Sequence, residues 1–410
     1  MKAIKATLLK SLGPGLLFAG AAIGVSHLVQ STRAGADFGF GLLWALLLVN
    51  LFKYPFFQYG PRYASATGES LIDGYKKLGK GVLIIYFILT FLTMFTIQAA
   101  VTVVTAGLAS NLFGITPNIT IWSIVITLIC FLFLIKGTYK ILDKLMKIII
   151  IILSISSIIA VIIAYSKTSS TPNFIPILPK GTIEISFLIA FLGWMPAPLD
   201  VSTWHSLWTI EKNKSSNQKQ RVKDSLFDFN IGFITTLVLG ICFMALGTFV
   251  LYNSDEEISG NANKFAKQLI YLYTTNLGKS AGIFIAIAAF TTMFSTTLTT
   301  LDASPRAMAK SSELLLNKKS KSYYTLWIVL LAIGTILILS LFKANMLTFI
   351  KIATILSFLT APFYAIANFA LISGKHTPKK YHPSKLLKIW SYLGIIFLIG
   401  FSIWYFSSLF

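Results

Sequence analysis

Long apolar runs divided by short polar segments set the pattern of the chain. VLIIYFILTFLTMF, IWSIVITLICFLFLI, IIIIILSISSIIAVIIAY and LWIVLLAIGTILILSLF each reach, or nearly reach, the length that crosses a bilayer core of about 30 Å as a helix. The pattern predicts an all-α polytopic membrane protein with eleven spans. They lie at about 13–38, 41–60, 81–110, 117–136, 145–166, 183–210, 226–252, 279–304, 322–342, 345–373 and 387–409. The first span follows lysines but has no small-residue cleavage pattern, so it reads as a retained helix and not a signal peptide.

Two spans are interrupted. Within AAIGVSHLVQSTRAGADFGFGLLW (21–44), the polar or small residues Gly24, Ser26, His27, Gln30, Ser31, Thr32 and Arg33 follow one another before the apolar pattern recovers at Phe38. Within FLIAFLGWMPAPLDVSTWHSLW (187–208), Pro196 and Pro198 lack amide hydrogens and clash with the preceding turn, which predicts a break over Met195–Asp200. These are the first and sixth spans, so they are corresponding members of two five-span halves, about 13–166 and 183–373, running in opposite directions. An extra helix follows at about 387–409. Paired discontinuous helices mark the binding site of many secondary transporters, and unwound backbone at that depth must line protein or a water-filled cavity.

Composition agrees: 55% of the 410 residues are hydrophobic and 12% charged. The net charge of +21 would suit nucleic acid, but its distribution does not. With the N-terminus inside, 26 of the 35 Lys and Arg fall in cytoplasmic segments, which is the positive-inside asymmetry and implies contact with the lipid bilayer and no nucleic-acid partner. The C-terminus is then predicted outside, in an integral protein of the cell membrane. Away from the span ends, only Arg33, Lys53 and Lys351 among the Lys and Arg lie within spans. Cys130 and Cys242 lie in apolar runs and read as small core residues. The outer loop after 252 carries an acidic turn and then a short amphipathic stretch. Nothing predicts a large soluble domain, so 1–410 reads as one transporter domain.

At the broken first span the chain resembles the Nramp family of divalent-metal transporters. GPGLLFAGAAIGVSH has the family's Gly-Pro-Gly, then eight residues, then the four positions that read Asp-Pro-Gly-Asn in the family, and AGADFGFGLLW follows. TGESL (67–71), LFGI (112–115), MP (195–196), STTLTTLDA (295–303) and APFYAI (361–366) fall where Nramp-like counterparts are expected. The resemblance implies a LeuT-like 5+5 inverted repeat with broken helices 1 and 6. It also shows departures. Gly24 and His27 stand at the metal-binding Asp and Asn positions, with Val25 and Ser26 between them; of the ligands only Met195 remains, and Ala197 replaces a histidine. Gln98 and Val101 occupy the positions of the acidic pair associated with proton movement, Ser31 that of an outer acid, and Arg33 that of a glutamine.

Mg²⁺ and Mn²⁺ favour oxygen ligands, commonly carboxylates, and a dication beside an unpaired arginine is costly. The sequence therefore points to import of a small inorganic anion, bicarbonate first, at Gly24, Val25, Ser26, His27, Gln30, Ser31, Arg33, Met195 and Ala197. Amides near Ser26–Leu28 and the positive end of the half-helix add donors. An equal reading ties Arg33 to Asp37 one turn later. No cofactor is expected. Na⁺ is the expected coupling ion, because a sodium site lies in the LeuT-like fold between the first break and the eighth helix. Ala21 and Gly24 on one side and Thr292, Ser295, Thr296 and Thr299 on the other are its candidate ligands, although intramembrane hydroxyls often bond only their own backbone. Lys53 could pair with Asp200, which could instead cap the broken sixth helix; Asp302 reads as a salt-bridge partner of Arg306. The alternatives are a divalent Mg²⁺ or Mn²⁺ transporter, with Met195 as the remaining metal ligand, and an amino-acid transporter of the same fold. A membrane enzyme is disfavoured because the four histidines are scattered. The expected partners are a small ion and lipid, with the chain as a monomer.

Overall fold

The computed structural model describes residues 13–136, 139–168, 172–216, 220–252, 257–278, 282–342 and 345–409. The basic segment 1–12 and the acidic turn at 253–256 lie outside the described residues. Regular structure among the described residues is helical. The elements that position the site are α1 (Pro14–Ala22), a π-helical turn (Ser26–Ser31), α2 (Thr32–Phe38), α3 (Leu43–Thr67), α4 (Leu71–Leu78), α5 (Lys80–Phe113), α6 (Ile119–Lys136), α7 (Tyr139–Lys167), α8 (Thr182–Trp194) and α9 (Val201–Ser216). They are followed by α10 (Val222–Val250), α11 (Ala262–Leu277), α12 (Gly282–Leu316), α13 (Ser322–Leu341), α14 (Met346–Ser373) and α15 (Lys385–Ser407).

Among the described residues, six helices are long and apolar enough to cross a membrane, and the bent pair Pro14–Ala22 with Ser26–Phe38 makes a seventh. Ile119–Ile135, Ile151–Lys167 and Thr182–Trp194 are shorter apolar helices. The α3 helix is absent from the long apolar set because Asn50, Lys53 and Gln58 interrupt its apolar run. Several helices outrun the predicted spans: α3 continues through Pro55 and Pro61 to Thr67, and α12 through Pro305 to Leu316. Hydropathy ends where the lipid does, whereas the i→i−4 ladder continues as long as residues and neighbours permit. The amphipathic stretch after the acidic turn forms α11, with Asn261 accepting from the amides of Asn263 and Lys264 as its cap.

The packing leaves Ile85, Leu132, Ile162, Leu337 and Ile396 exposed on the outside of the bundle, a surface suited to lipid. Inside, α10 lies along α1, the π turn and α2. Small residues permit that approach: a Cβ on Gly35 would fall on the carbonyl oxygen of Met244, and one on Gly247 on that of Thr32. The α5 helix packs on α12, α8 on α14, and α9 on α3, so both broken spans sit among longer helices.

Candidate functional site

The first break covers Ile23–Val25 and bends the chain by 47°. Gly24 N donates to Ala22 O (3.0 Å), and His27 N and Leu28 N both donate to Gly24 O (3.1 and 2.9 Å). In a continuous helix those first two amides would have served Gly20 O and Ile23 O. The two carbonyls turn instead toward α12, where Thr296 Oγ1 lies 3.1 Å from Gly20 O, 3.3 Å from Ile23 O and 3.1 Å from Thr292 O. One hydroxyl proton serves one of the three at a time. Gly24 permits this proximity, since a Cβ there would lie 2.9 Å from Thr296 Cγ2. No charged side chain hydrogen-bonds to these oxygens among the described residues.

The second break follows α8. Pro196 stands four residues after Leu192 and Pro198 four after Trp194, so neither carbonyl finds an amide in its own helix. The Met195–Pro196 peptide is cis. Lys53 of α3, fully buried, sends its ammonium to Leu192 O (2.7 Å), Gly193 O (2.8 Å) and Ala197 O (3.3 Å). Asp200 stands directly before α9 at the positive end of that half-helix, buried, with Oδ1 lacking a hydrogen-bond partner.

The breaks approach each other where Ser26 Oγ lies 3.4 Å from Pro196 O. Between them is a small cavity of about 20 Å³, lined by Ala21, Ala22, Val25 and Ser26 of the first break, Trp194, Pro198, Val201 and Trp204 of the second, Ile97 and Val101 of α5, and Thr296 and Thr300 of α12. Of the sequence-predicted residues, Ala21, Val25, Ser26 and Thr296 line it. Gly24 packs against Thr296 behind the lining.

The remaining candidates are engaged elsewhere. His27 Nε2 donates to Thr236 O (2.9 Å) and Nδ1 lies 2.7 Å from Ser26 Oγ, which is itself 2.7 Å from Ala22 O. Ser31 donates to Ser26 O, and Thr292 to Ala288 O. Gln30 Oε1 and Thr299 Oγ1 are buried without partners, but their residues do not line the cavity. Ser295 is buried outside the cavity lining and bonded, and Ala197 contributes its carbonyl to Lys53. Met195 is fully buried with its sulfur against Gly240, not in the cavity. Arg33 forms a 3.0 Å ion pair with Asp37, stacks 4.7 Å from the Phe187 ring centre, and is 30% exposed. The local tie, not a charge aimed into the cavity, is its arrangement. Asp302 pairs with Arg306 at 2.6 Å, as expected, and also accepts from Tyr324.

Three features escaped sequence reading. Asp228 of α10 accepts from Gly13 N (3.0 Å) and Gly15 N (2.8 Å), which anchors the N-terminus of α1. Gln98, at a relay position, accepts from Thr300 (2.6 Å) and donates to Thr297 O and Thr102, so it joins α5 to α12 through neutral groups. A wide cavity of about 510 Å³ opens beside α4, α9 and α12; Glu69, Asp73, Glu211 and Glu313 line it with Lys214, Arg306 and Lys310. That concentrates four carboxylates in a chain with only 14 acids. Among the described residues no group of three or more His, Cys, Asp and Glu could hold a metal ion.

Comparison with known proteins adds family and fold. The Nramp profile, Natural resistance-associated macrophage protein-like, matches residues 15–408. The uncharacterized protein PM0681 of Pasteurella multocida is 34% identical over 400 residues, 96% of this chain and 91% of that protein. The divalent metal cation transporter MntH of Staphylococcus aureus is 25% identical over 263 residues, 62% of this chain and 58% of that one. Among solved structures, the Eremococcus coleocola manganese transporter in complex with an aromatic bis-isothiourea substituted compound superposes with a TM-score of 0.73 at 16% identity, over 100% of this chain and 88% of that chain. MhsT in complex with L-phenylalanine superposes at 0.65 and 14% identity, covering 97% and 98%. These similarities establish the LeuT-like fold.

Proposed function

The chain belongs to the Nramp family of transporters, and on that premise we propose that it carries a small metal cation across the membrane through the cavity between its two breaks. A divalent ion, Mn²⁺ or Mg²⁺, is the first reading of the cargo. The observation that carries the proposal is the convergence of Gly20 O, Ile23 O, Thr292 O and Thr296 Oγ1 beside the cavity, with one proton among them. Carbonyl, hydroxyl and water oxygens suit hard cations, and Mg²⁺ in particular keeps part of its hydration shell. The names of the relatives support the same class: a divalent metal cation transporter and a manganese transporter. In the wider cavity Glu69, Asp73 and Glu211 are paired with Lys77, Lys310 and Lys214, so its carboxylates add little to the choice of cargo.

Sodium-coupled bicarbonate import, the sequence's first expectation, finds no support in the comparisons. Its donors are also engaged: Arg33 by Asp37, His27 by Thr236 and the amides of His27 and Leu28 by Gly24. A second reading keeps Na⁺, as coupling ion or cargo, on the same oxygens. It is favoured because no carboxylate joins the set, and neutral oxygens alone suit a monovalent ion better than a dication. The N-terminus is proposed to be cytoplasmic on the positive-inside asymmetry, the chain to act as a monomer, and 13–166 and 183–373 to be the inverted repeats.

The test is uptake into proteoliposomes of Mn²⁺, Mg²⁺ and labelled bicarbonate, each with and without a Na⁺ gradient. Metal uptake independent of bicarbonate is expected. Bicarbonate uptake without metal transport would overturn the proposal, and Na⁺ dependence would decide for the second reading.

A further inference from the structure

We propose that Lys53 is a tethered cation: its ammonium fills a carbonyl-built cation position at the end of α8, closes that break to free cations, and so leaves ion binding to the first break. The inference does not depend on the identity of the transported ion.

The argument starts from the prolines. A helix end leaves carbonyls without amide partners, and the shortage here is enforced, because Pro196 occupies the position that would have served Leu192 O. Three oxygens, of Leu192, Gly193 and Ala197, converge on a point within 2.7–3.3 Å, and an ammonium with three donors meets them one for one. The point lies at the negative end of the half-helix, where a cation is favoured. Lys53 is fully buried, and no ion pair joins it to an acid among the described residues. A lysine that only snorkelled would carry its head to water. Here the head is turned into backbone, as a bound ion would be.

The alternative of an ordinary buried salt bridge with Asp200 does not describe this geometry. Asp200 faces the opposite helix end, and one of its oxygens has no hydrogen-bond partner. Each half-helix end is therefore met by a side chain of opposite sign: Lys53 at the carbonyls of α8 and Asp200 at the start of α9. The first break has the same kind of carbonyl set, answered among the described residues by Thr296. A free cation that enters the cavity thus finds one set of carbonyls occupied and the other open.

Two substitutions in the full-length protein test this without measuring transport. Lys53→Ala should melt well below wild type and should recover at least half of the lost melting temperature with methylammonium or propylammonium, but not with tetramethylammonium, which has no N–H to donate. Lys53→Met keeps the stem volume and covers the case in which the alanine variant does not fold. Its melting temperature should rise by about 3 °C or more with added K⁺ or Na⁺, beyond any rise in wild type. Folded Lys53→Met protein that responds to these cations no more than wild type would overturn the proposal. So would equal stabilisation of Lys53→Ala by primary amines and by tetramethylammonium. Failure of metal uptake in proteoliposomes would leave these melting results unaffected, so the two readings fail separately.

Discussion

The two breaks meet at Ser26 and Pro196, yet they solve the same physical problem in opposite ways. Each exposes helix-end carbonyls deep in the bundle, where an unanswered polar group is costly. At α8–α9 the protein answers with fixed charges, an ammonium on the carbonyls and a carboxylate before the next half-helix. At α1–α2 it answers with neutral threonine and backbone oxygens. On the carbonyl side, where Lys53 meets three oxygens, the charged answer is complete, and on the proposed reading that break is a structural joint. A neutral answer is incomplete, and on the proposed reading the other break retains capacity for a mobile ion. Substitutions at the second break should therefore act on folding, and those at the first on ion handling.

The largest effect is expected at Gly193, the last glycine before the second break. A Cβ there would lie 2.0 Å from the carbonyl oxygen of Thr354, which belongs to the backbone of α14 and cannot rotate away. Gly193→Ala should cost about 3 kcal/mol or more, the upper range for overpacking, and abolish the monodisperse peak in size-exclusion chromatography. Asp228→Ala comes next. It removes a carboxylate that accepts two backbone amides at the entrance to α1, and should cost about 2 kcal/mol in thermal or denaturant unfolding. Asp228→Asn should recover part of that loss, since an amide oxygen still accepts.

Thr296→Val should separate stability from transport. It deletes one shared hydroxyl and preserves shape, so unfolding should move by only about 1 kcal/mol. Metal uptake should fall by about tenfold or more, the equivalent of 1.4 kcal/mol, because the variant removes the hydroxyl from the oxygen set. A variant with normal uptake and poor stability would reverse the comparison between the breaks and make the first one the joint.

The positions of both breaks were legible in the sequence because their causes are local. Pro196 and Pro198 remove amides wherever the chain places them, and the polar run after Gly24 cannot face lipid. The Arg33–Asp37 tie was legible for the same reason, as an i,i+4 pair. What answers the breaks was not legible. Lys53 could be singled out as an intramembrane cation, but its partners are backbone carbonyls about 140 residues away, and carbonyls have no residue identity to read. Asp228 was hidden in the same way, since it binds amides more than 200 positions earlier. The anion expectation finds no support in the comparisons, and its donors are engaged: Ser26, His27 and Arg33 are all present, but the fold has already assigned their hydrogen bonds.

Arg33 provides the smallest expected effect and the sharpest limit on the comparison. If the first break owed its ion chemistry to a nearby fixed charge, Arg33→Gln would change apparent affinity strongly, and in opposite senses for cations and anions. The structure places the guanidinium against Asp37 and over Phe187, about a third exposed. A partly exposed i,i+4 pair contributes little, roughly 0.5 kcal/mol, and its loss leaves Asp37 able to take water. The pair is also neutral as a unit, so its field at the cavity is that of a dipole and falls off faster than a charge. Uptake by Arg33→Gln should therefore stay within about threefold of wild type, less than the tenfold change that 1.4 kcal/mol represents, with melting nearly unchanged. A gain of tenfold or more in metal affinity, with folding intact, would show that Arg33 repels cations from the site, and the first break could then no longer be described as answered by neutral groups alone.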